Sequence, residues 1–223
     1  MIRIPLDQQL LDSCAALMLL LSFAMLSQRR SVSLVNLYAI QGAVLAAATL
    51  LLAWRTGQGH LYFSAALTLV LKALLLPWLL HRLVRRLEVY WDTESHLNVS
   101  GTMLVGLIIV VFSFGLAQPI TELASTSTRS AIGIALSVVL LAFLMMITRR
   151  KAMSQVVGFL SMENGVLFGA MSATYGMPMV VELGVALDVL VAVLVLGVFF
   201  FQIREQFDSL DLHHLEALRE ERR

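Results

Sequence analysis

The stretch AMSQVVGFLSMENGVLFGAMSAT at positions 152–174 decides how this chain folds. It holds one ionisable side chain, Glu163, eleven residues after Ala152. As a helix it would rise about 34 Å, enough to cross a hydrocarbon core of roughly 30 Å. An acid at the centre of so long an apolar run belongs inside a helical bundle, since neither lipid nor a soluble core would accept it alone.

Six further runs of similar character flank it, at 10–26, 34–54, 61–80, 101–118, 131–148 and 179–203. The composition agrees. Hydrophobic residues make up 59% of the 223-residue chain and charged residues 14%, against roughly 45–50% and 25% in soluble domains. Mean hydropathy is +0.84. The expected fold is all-α, a polytopic membrane protein of seven transmembrane helices. Backbone groups in lipid must bond internally, and no alternating barrel pattern is present. The first run lacks a small-residue cleavage site and reads as a retained helix.

Basic residues set the expected orientation. Arg29, Arg30, Arg82, Arg85, Arg86, Arg149, Arg150, Lys151, Arg204, Arg219, Arg222 and Arg223 all fall on one side of a seven-span arrangement. Only Arg3, Arg55 and Arg129 fall on the other. The N-terminus is expected outside and the C-terminus in the cytoplasm, with the chain in the inner (cytoplasmic) membrane.

Four regions follow: an N-terminal three-helix unit (1–100), a linking fourth span and loop (101–130), a C-terminal three-helix unit (131–204) and a cytoplasmic amphipathic tail (205–223). The two units share features. Arg29-Arg30 parallels Arg149-Arg150, Gln41-Gly42-Ala43-Val44-Leu45 parallels Glu163-Asn164-Gly165-Val166-Leu167, and Lys72 parallels Asp188. A tandem repeat separated by one extra span explains them, because an odd-numbered unit keeps its orientation only across an added crossing. Chance recurrence of Leu, Ala and Val is the open alternative.

Lys72, Glu163 and Asp188 each lie roughly 14–17 Å from the start of their spans, near mid-bilayer. A charge there costs about 2.5–3.5 kcal/mol on insertion scales, so such groups face the bundle interior and find partners. A low-dielectric interior favours neutral forms, and an adjacent opposite charge restores ionisation. A row of these groups makes a proton path. The plainer alternative is a buried ion pair, Lys72 with Glu163 or Asp188, that fixes helix register. Pro77 lacks an N–H and its ring crowds the Ala73 carbonyl, so the helix is expected to open one turn from Lys72. Gln41 and Asn164 are supporting polar residues, and Glu182, near the outer end of its span, is an exit-group candidate. Gly158, Gly165 and Gly169 read as packing positions.

Other chemistry finds no support. Cys14 is the one cysteine, and the histidines have no metal-ligand spacing. No phosphate loop, dinucleotide fingerprint or nucleophile elbow is present. A net charge of +1 gives no reason to expect nucleic acid. No cofactor, metal or active site is assigned to the chain itself.

At Gly158-Phe-Leu-Ser-Met-Glu163-Asn164-Gly165 and the following Asp188 helix, the chain resembles component E of hydrogenase-4. That is an integral membrane subunit of formate-hydrogenlyase-type complexes related to respiratory complex I. The last three spans also resemble the three-helix K subunit of NADH–quinone oxidoreductase, which has a functional carboxylate in its second and third helices. Asp188 matches the third-helix acid. In the second helix that subunit's glutamate aligns with Leu160, whereas the acid here is Glu163, shifted along the axis by roughly 4.5 Å on about the same face.

The resemblance implies a non-catalytic subunit of an oxidoreductase complex that contributes to proton translocation. Its partners would be antiporter-like and other membrane-arm subunits, with the peripheral redox arm reached indirectly. Two alternatives stand beside this reading: a purely structural assembly or anchoring subunit, and a free-standing ion transporter.

Overall fold

The computed structural model describes residues 6–86, 98–120 and 126–174, together with positions 184, 190 and 197. The elements are α1 (Leu6–Ser27), α2 (Ser31–Thr56), α3 (Gly59–Thr68), a π-helical segment (Leu69–Leu75), α4 (Leu76–Arg86), α5 (Val99–Ile120), α6 (Thr126–Thr148) and α7 (Ala152–Thr174). No β-strand occurs among the described residues. Six of the expected crossings are seen as helices long and apolar enough to span a membrane, with α3, the π segment and α4 forming one of them, Gly59–Arg85. The seventh, 179–203, lies outside the described residues except at isolated positions. One of these, Gly184, is helical and buried, and packs against Leu167 of α7.

The turns follow from local chemistry. Gly57 ends α2 in the left-handed region (φ 66°), and its N–H bonds the Ala53 carbonyl at 2.9 Å. Only glycine adopts that conformation without strain, so the chain reverses in two residues and starts α3 at Gly59. The link from α6 to α7 is one residue longer. There Arg149, counted in the sequence among the loop charges, is buried. Its guanidinium donates to the Leu26 carbonyl at 2.9 Å and the Gln28 carbonyl at 2.6 Å. It satisfies acceptors at the C-terminal end of α1, where the helix dipole also favours a cation.

α1 packs on α2 and α6, α2 on α7 and the third span, and α6 on α7. Small residues permit the last contact. A methyl at Gly158 would lie 2.7 Å from Met146 Cγ, one at Gly165 2.9 Å from Val138 Cγ1, and one at Gly169 2.9 Å from Ala135 Cβ. These three glycines therefore form a packing stripe, the usual way membrane helices gain close dispersion contact. α5 is peripheral: 17% of its apolar window is buried, against 50% for α2, α6 and α7. The apolar core gathers Ala15 and Met18 of α1, Leu45 and Ala48 of α2, Val138 of α6 and Phe168 of α7.

Candidate functional site

Four residues named from the sequence, two for their charge and two as supporting amides, meet at the centre of the bundle. Lys72, Glu163, Gln41 and Asn164 are each at most 1% exposed. Lys72 Nζ donates to Asn164 Oδ1 at 2.9 Å and lies 3.4 Å from Glu163 Oε1. Asn164 Nδ2 donates to Gln41 Oε1 at 3.2 Å, and Gln41 Nε2 donates to Ser22 Oγ at 3.0 Å. Ser22 Oγ in turn donates to its own helix at the Met18 carbonyl, 2.9 Å away. Every donor points the same way, from the ammonium to a backbone carbonyl, and this direction fixes both amide orientations. The chain of bonds ties α1, α2, the third span and α7 together.

The third span delivers Lys72 through an irregular backbone. From Leu69 to Leu75 the helix is π-type, and Leu76 N–H bonds the Leu71 carbonyl five residues back. Proline at 77 has no N–H to offer the carbonyls of the preceding turn, so a widened turn is tolerated where a regular one would already lack a bond. The expected opening at Ala73 thus takes the form of a π turn with Lys72 at its centre. Lys72 is the one buried residue of that segment; Leu69, Val70, Leu74 and Leu75 are exposed.

Gly42 admits this backbone. A methyl there would fall 2.9 Å from Lys72 Cβ and 3.0 Å from the Lys72 carbonyl carbon and oxygen. Any side chain would push the π turn away from α2. The Gln41-Gly42 pair therefore has two jobs: Gln41 bonds the amide of Asn164, and Gly42 lets Lys72 come within reach of it.

Chemically, the cluster has one acid and one amine in direct contact. The two lie within ion-pair range, 3.4 Å apart. The amides of Asn164 and Gln41 do not titrate in the usual range, so they hold the pair in place and extend its hydrogen bonding. Glu163 and Asn164 are neighbours on α7, about 100° apart around the axis, and the ammonium sits in the angle between them.

Asp188 and Glu182 lie outside the described residues. The sequence reading missed Ser22, a hydroxyl in a leucine-rich run with nothing to mark it. It also took Gly42 only as part of a repeat. Its spacing next to Gln41 was the available signal, since a glycine beside a buried amide marks a close backbone approach.

No family profile matches the chain, and no solved structure matches it. An uncharacterized protein of Mycobacterium tuberculosis is 37% identical over 212 residues, covering 95% of this chain and 96% of that protein. Hydrogenase-4 component E of Escherichia coli K12 is 25% identical over 210 residues, covering 94% of this chain and 97% of that protein, and the Shigella flexneri protein of the same name matches equally. With six apolar helices long enough to cross a membrane, this membrane-integral chain is a distant homologue of hydrogenase-4 component E along nearly its whole length.

Proposed function

We propose that this chain is a non-catalytic subunit of a hydrogenase-4-like, complex-I-related membrane complex, and that it contributes to proton translocation through Lys72, Glu163 and Asp188. The observation that carries the reading is the Lys72–Glu163 pair, 3.4 Å apart and sealed from either surface. Intramembrane ionisable groups are costly and are retained where they move ions or protons. The complex would supply the redox chemistry through other subunits. Its antiporter-like and other membrane-arm subunits would adjoin this chain, with the peripheral arm further away.

Asp188 would continue the path in the seventh span, with Glu182 as its exit group, consistent with the likeness of the last three spans to the K subunit. In this proposal the chain has seven spans, an external N-terminus and a cytoplasmic C-terminus in the inner membrane. It is organised as two three-helix units, 1–100 and 131–204, around the linking region 101–130, with the tail 205–223 inside.

Glu163→Gln together with Asp188→Asn keeps size and hydrogen bonding while abolishing titration. The assembled complex carrying both should retain its redox turnover and lose most of its proton pumping, read as pH change in inverted vesicles. Normal pumping would refute the relay.

A structural reading has its own support: the bond chain from Lys72 to Ser22 joins four spans and would fix their register. Exchanging Lys72 and Glu163 separates the two. Restored assembly with restored pumping leaves only a role in positioning; restored assembly with pumping lost favours conduction.

A further inference from the structure

The charge cluster has a counterpart nearer one end of the bundle. A cavity of about 60 Å³ opens where the start of α1, the end of α2, the start of α6 and the end of α7 meet. Gln8, Asp12, Arg55 and Ser172 line it on the polar side, and the buried Ala48 and Met171 line it on the apolar side. The volume is several times the roughly 10–15 Å³ that one water needs, and polar partners are at hand.

Three helices carry a continuous stripe from this cavity to the charge cluster. On α1 it runs Gln8, Leu11, Ala15, Met18, Ser22; on α2 it runs Arg55, Leu52, Ala48, Leu45, Gln41. On α7 it runs Met171, Phe168, Asn164. The spacing of three or four residues keeps each set on one helix face. The α1 and α2 stripes are polar at both ends, the α7 stripe is polar at Asn164, and the middle is apolar: Met18, Leu45 and Phe168 pack together with Val138 of α6. From Ala48 to Gln41 the rise is about 10 Å, so this plug is about two helical turns thick.

We propose that the cavity is the outer aqueous terminus of the proton path, and that Met18, Leu45, Phe168 and Val138 form a dewetted gate between it and the Lys72–Glu163 pair. Apolar constrictions of this kind stop ions by excluding water and conduct when they wet. Methionine suits the position, because its unbranched thioether repacks readily. Met171 bridges plug and cavity, with its sulfur 3.6 Å from Thr49 Oγ1. Asp12, exposed at the cavity wall, gives this terminus a carboxylate open to solvent. The proposal rests on the relay reading and on an external N-terminus.

The test uses the full chain in membranes of its own cells, with Cys14→Ala as background and a membrane-impermeant maleimide as probe. Ser172→Cys should react several-fold faster in right-side-out vesicles than in inverted ones, while Ser22→Cys, behind the plug, stays unlabelled in right-side-out vesicles. Reaction of Ser172→Cys from the inside alone, or from neither side, overturns the terminus; this variant leaves the core intact and needs no tolerance of a repacked plug. Leu45→Ser or Phe168→Ser should then raise passive proton leak several-fold, and an unchanged leak in both folded variants overturns the gate. Adding Glu163→Gln to a leaky variant should return the leak to baseline. A leak that persists would refute the relay through Glu163 while the terminus and gate still stand.

Discussion

Among the described residues, two pairs of a basic side chain with a carboxylate lie in opposite surroundings. Lys72 and Glu163 lie 3.4 Å apart with both side chains at 0% exposure. Arg55 and Asp7 lie 3.3 Å apart with side chains 38% and 25% exposed. The near-identical distances say little about energy; the dielectric around each pair decides it. Attraction between unit charges at such range is weak in water and several times stronger in the interior, but the interior also charges a desolvation penalty to each ion. The central pair is therefore held by its surroundings, and the peripheral pair is an accessory to its helices.

Removing one partner should separate the pairs most sharply. Glu163→Leu strands a buried ammonium, and breaking a buried pair this way costs about 3–5 kcal/mol. The assembled complex should melt well below wild type or fail to accumulate. The double variant Lys72→Met with Glu163→Leu removes both charges and should recover most of that loss, because an apolar pair of similar volume meets no desolvation penalty. A thermal-melting double-mutant cycle in detergent measures the difference; equal losses in single and double variants would contradict the pairing.

A second comparison concerns how the charges are brought together. Gly42→Ala adds one carbon, yet that carbon meets the backbone of Lys72 at about the 3.0 Å where atoms must shift. Overpacking of this order costs about 1–3 kcal/mol, against the small gain in helix propensity that alanine brings. Gly158→Ala meets a flexible Met146 side chain at 2.7 Å instead, so it should cost less. Reversal of that order in melting temperature would show that the π turn yields freely.

How much of this could be read from the sequence differs by kind of information. The six described spans match the apolar runs within a few residues, since hydropathy over about twenty residues has only one physical solution in lipid. Lys72 and Glu163 were legible as interior groups for the same reason: neither can reach a surface from mid-span. The partners were harder. Asn164 adjoins Glu163, so its presence in the site was readable, but its bond to Gln41 links residues 123 positions apart and depends on how α2 meets α7. Hydropathy does not encode that. The π turn also escaped, because Pro77 signals a disturbed helix without choosing among kink, break and π segment. Arg149 misled in its own way, since a charge in a short loop reads as solvent-facing until a neighbouring helix end supplies carbonyls.

Arg149→Met tests that last contrast and ranks below the central pair. It keeps the aliphatic stem and removes the bonds to Leu26 and Gln28. Hydrogen bonds from a charged donor contribute about 1.5–3 kcal/mol, and water reaching the helix ends would replace part of this, leaving a loss of about 1–2 kcal/mol. Arg149→Lys should recover only part of it, because both bonds come from one terminal nitrogen, Nη2, and the shorter lysine stem does not carry its ammonium to the same point. Full recovery by lysine would mean that charge at the end of α1, and not geometry, is what matters.

The smallest effect is expected at the peripheral pair. Arg55 lies in the last turn of α2 and Asp7 in the first turn of α1, so each charge already faces the helix-dipole end that favours it. Asp7→Asn removes the pair but leaves Arg55 solvated, and half-exposed pairs are worth about 0–1 kcal/mol. Its melting temperature should barely move, and the residual effect should shrink as salt is raised, because the Debye length falls from about 10 Å at 0.1 M to about 3 Å at 1 M. The loss in Glu163→Leu should not respond to salt, since ions do not enter the sealed centre. If both variants showed the same salt dependence, the two pairs would share one environment, and burial could not be what sets the central pair apart.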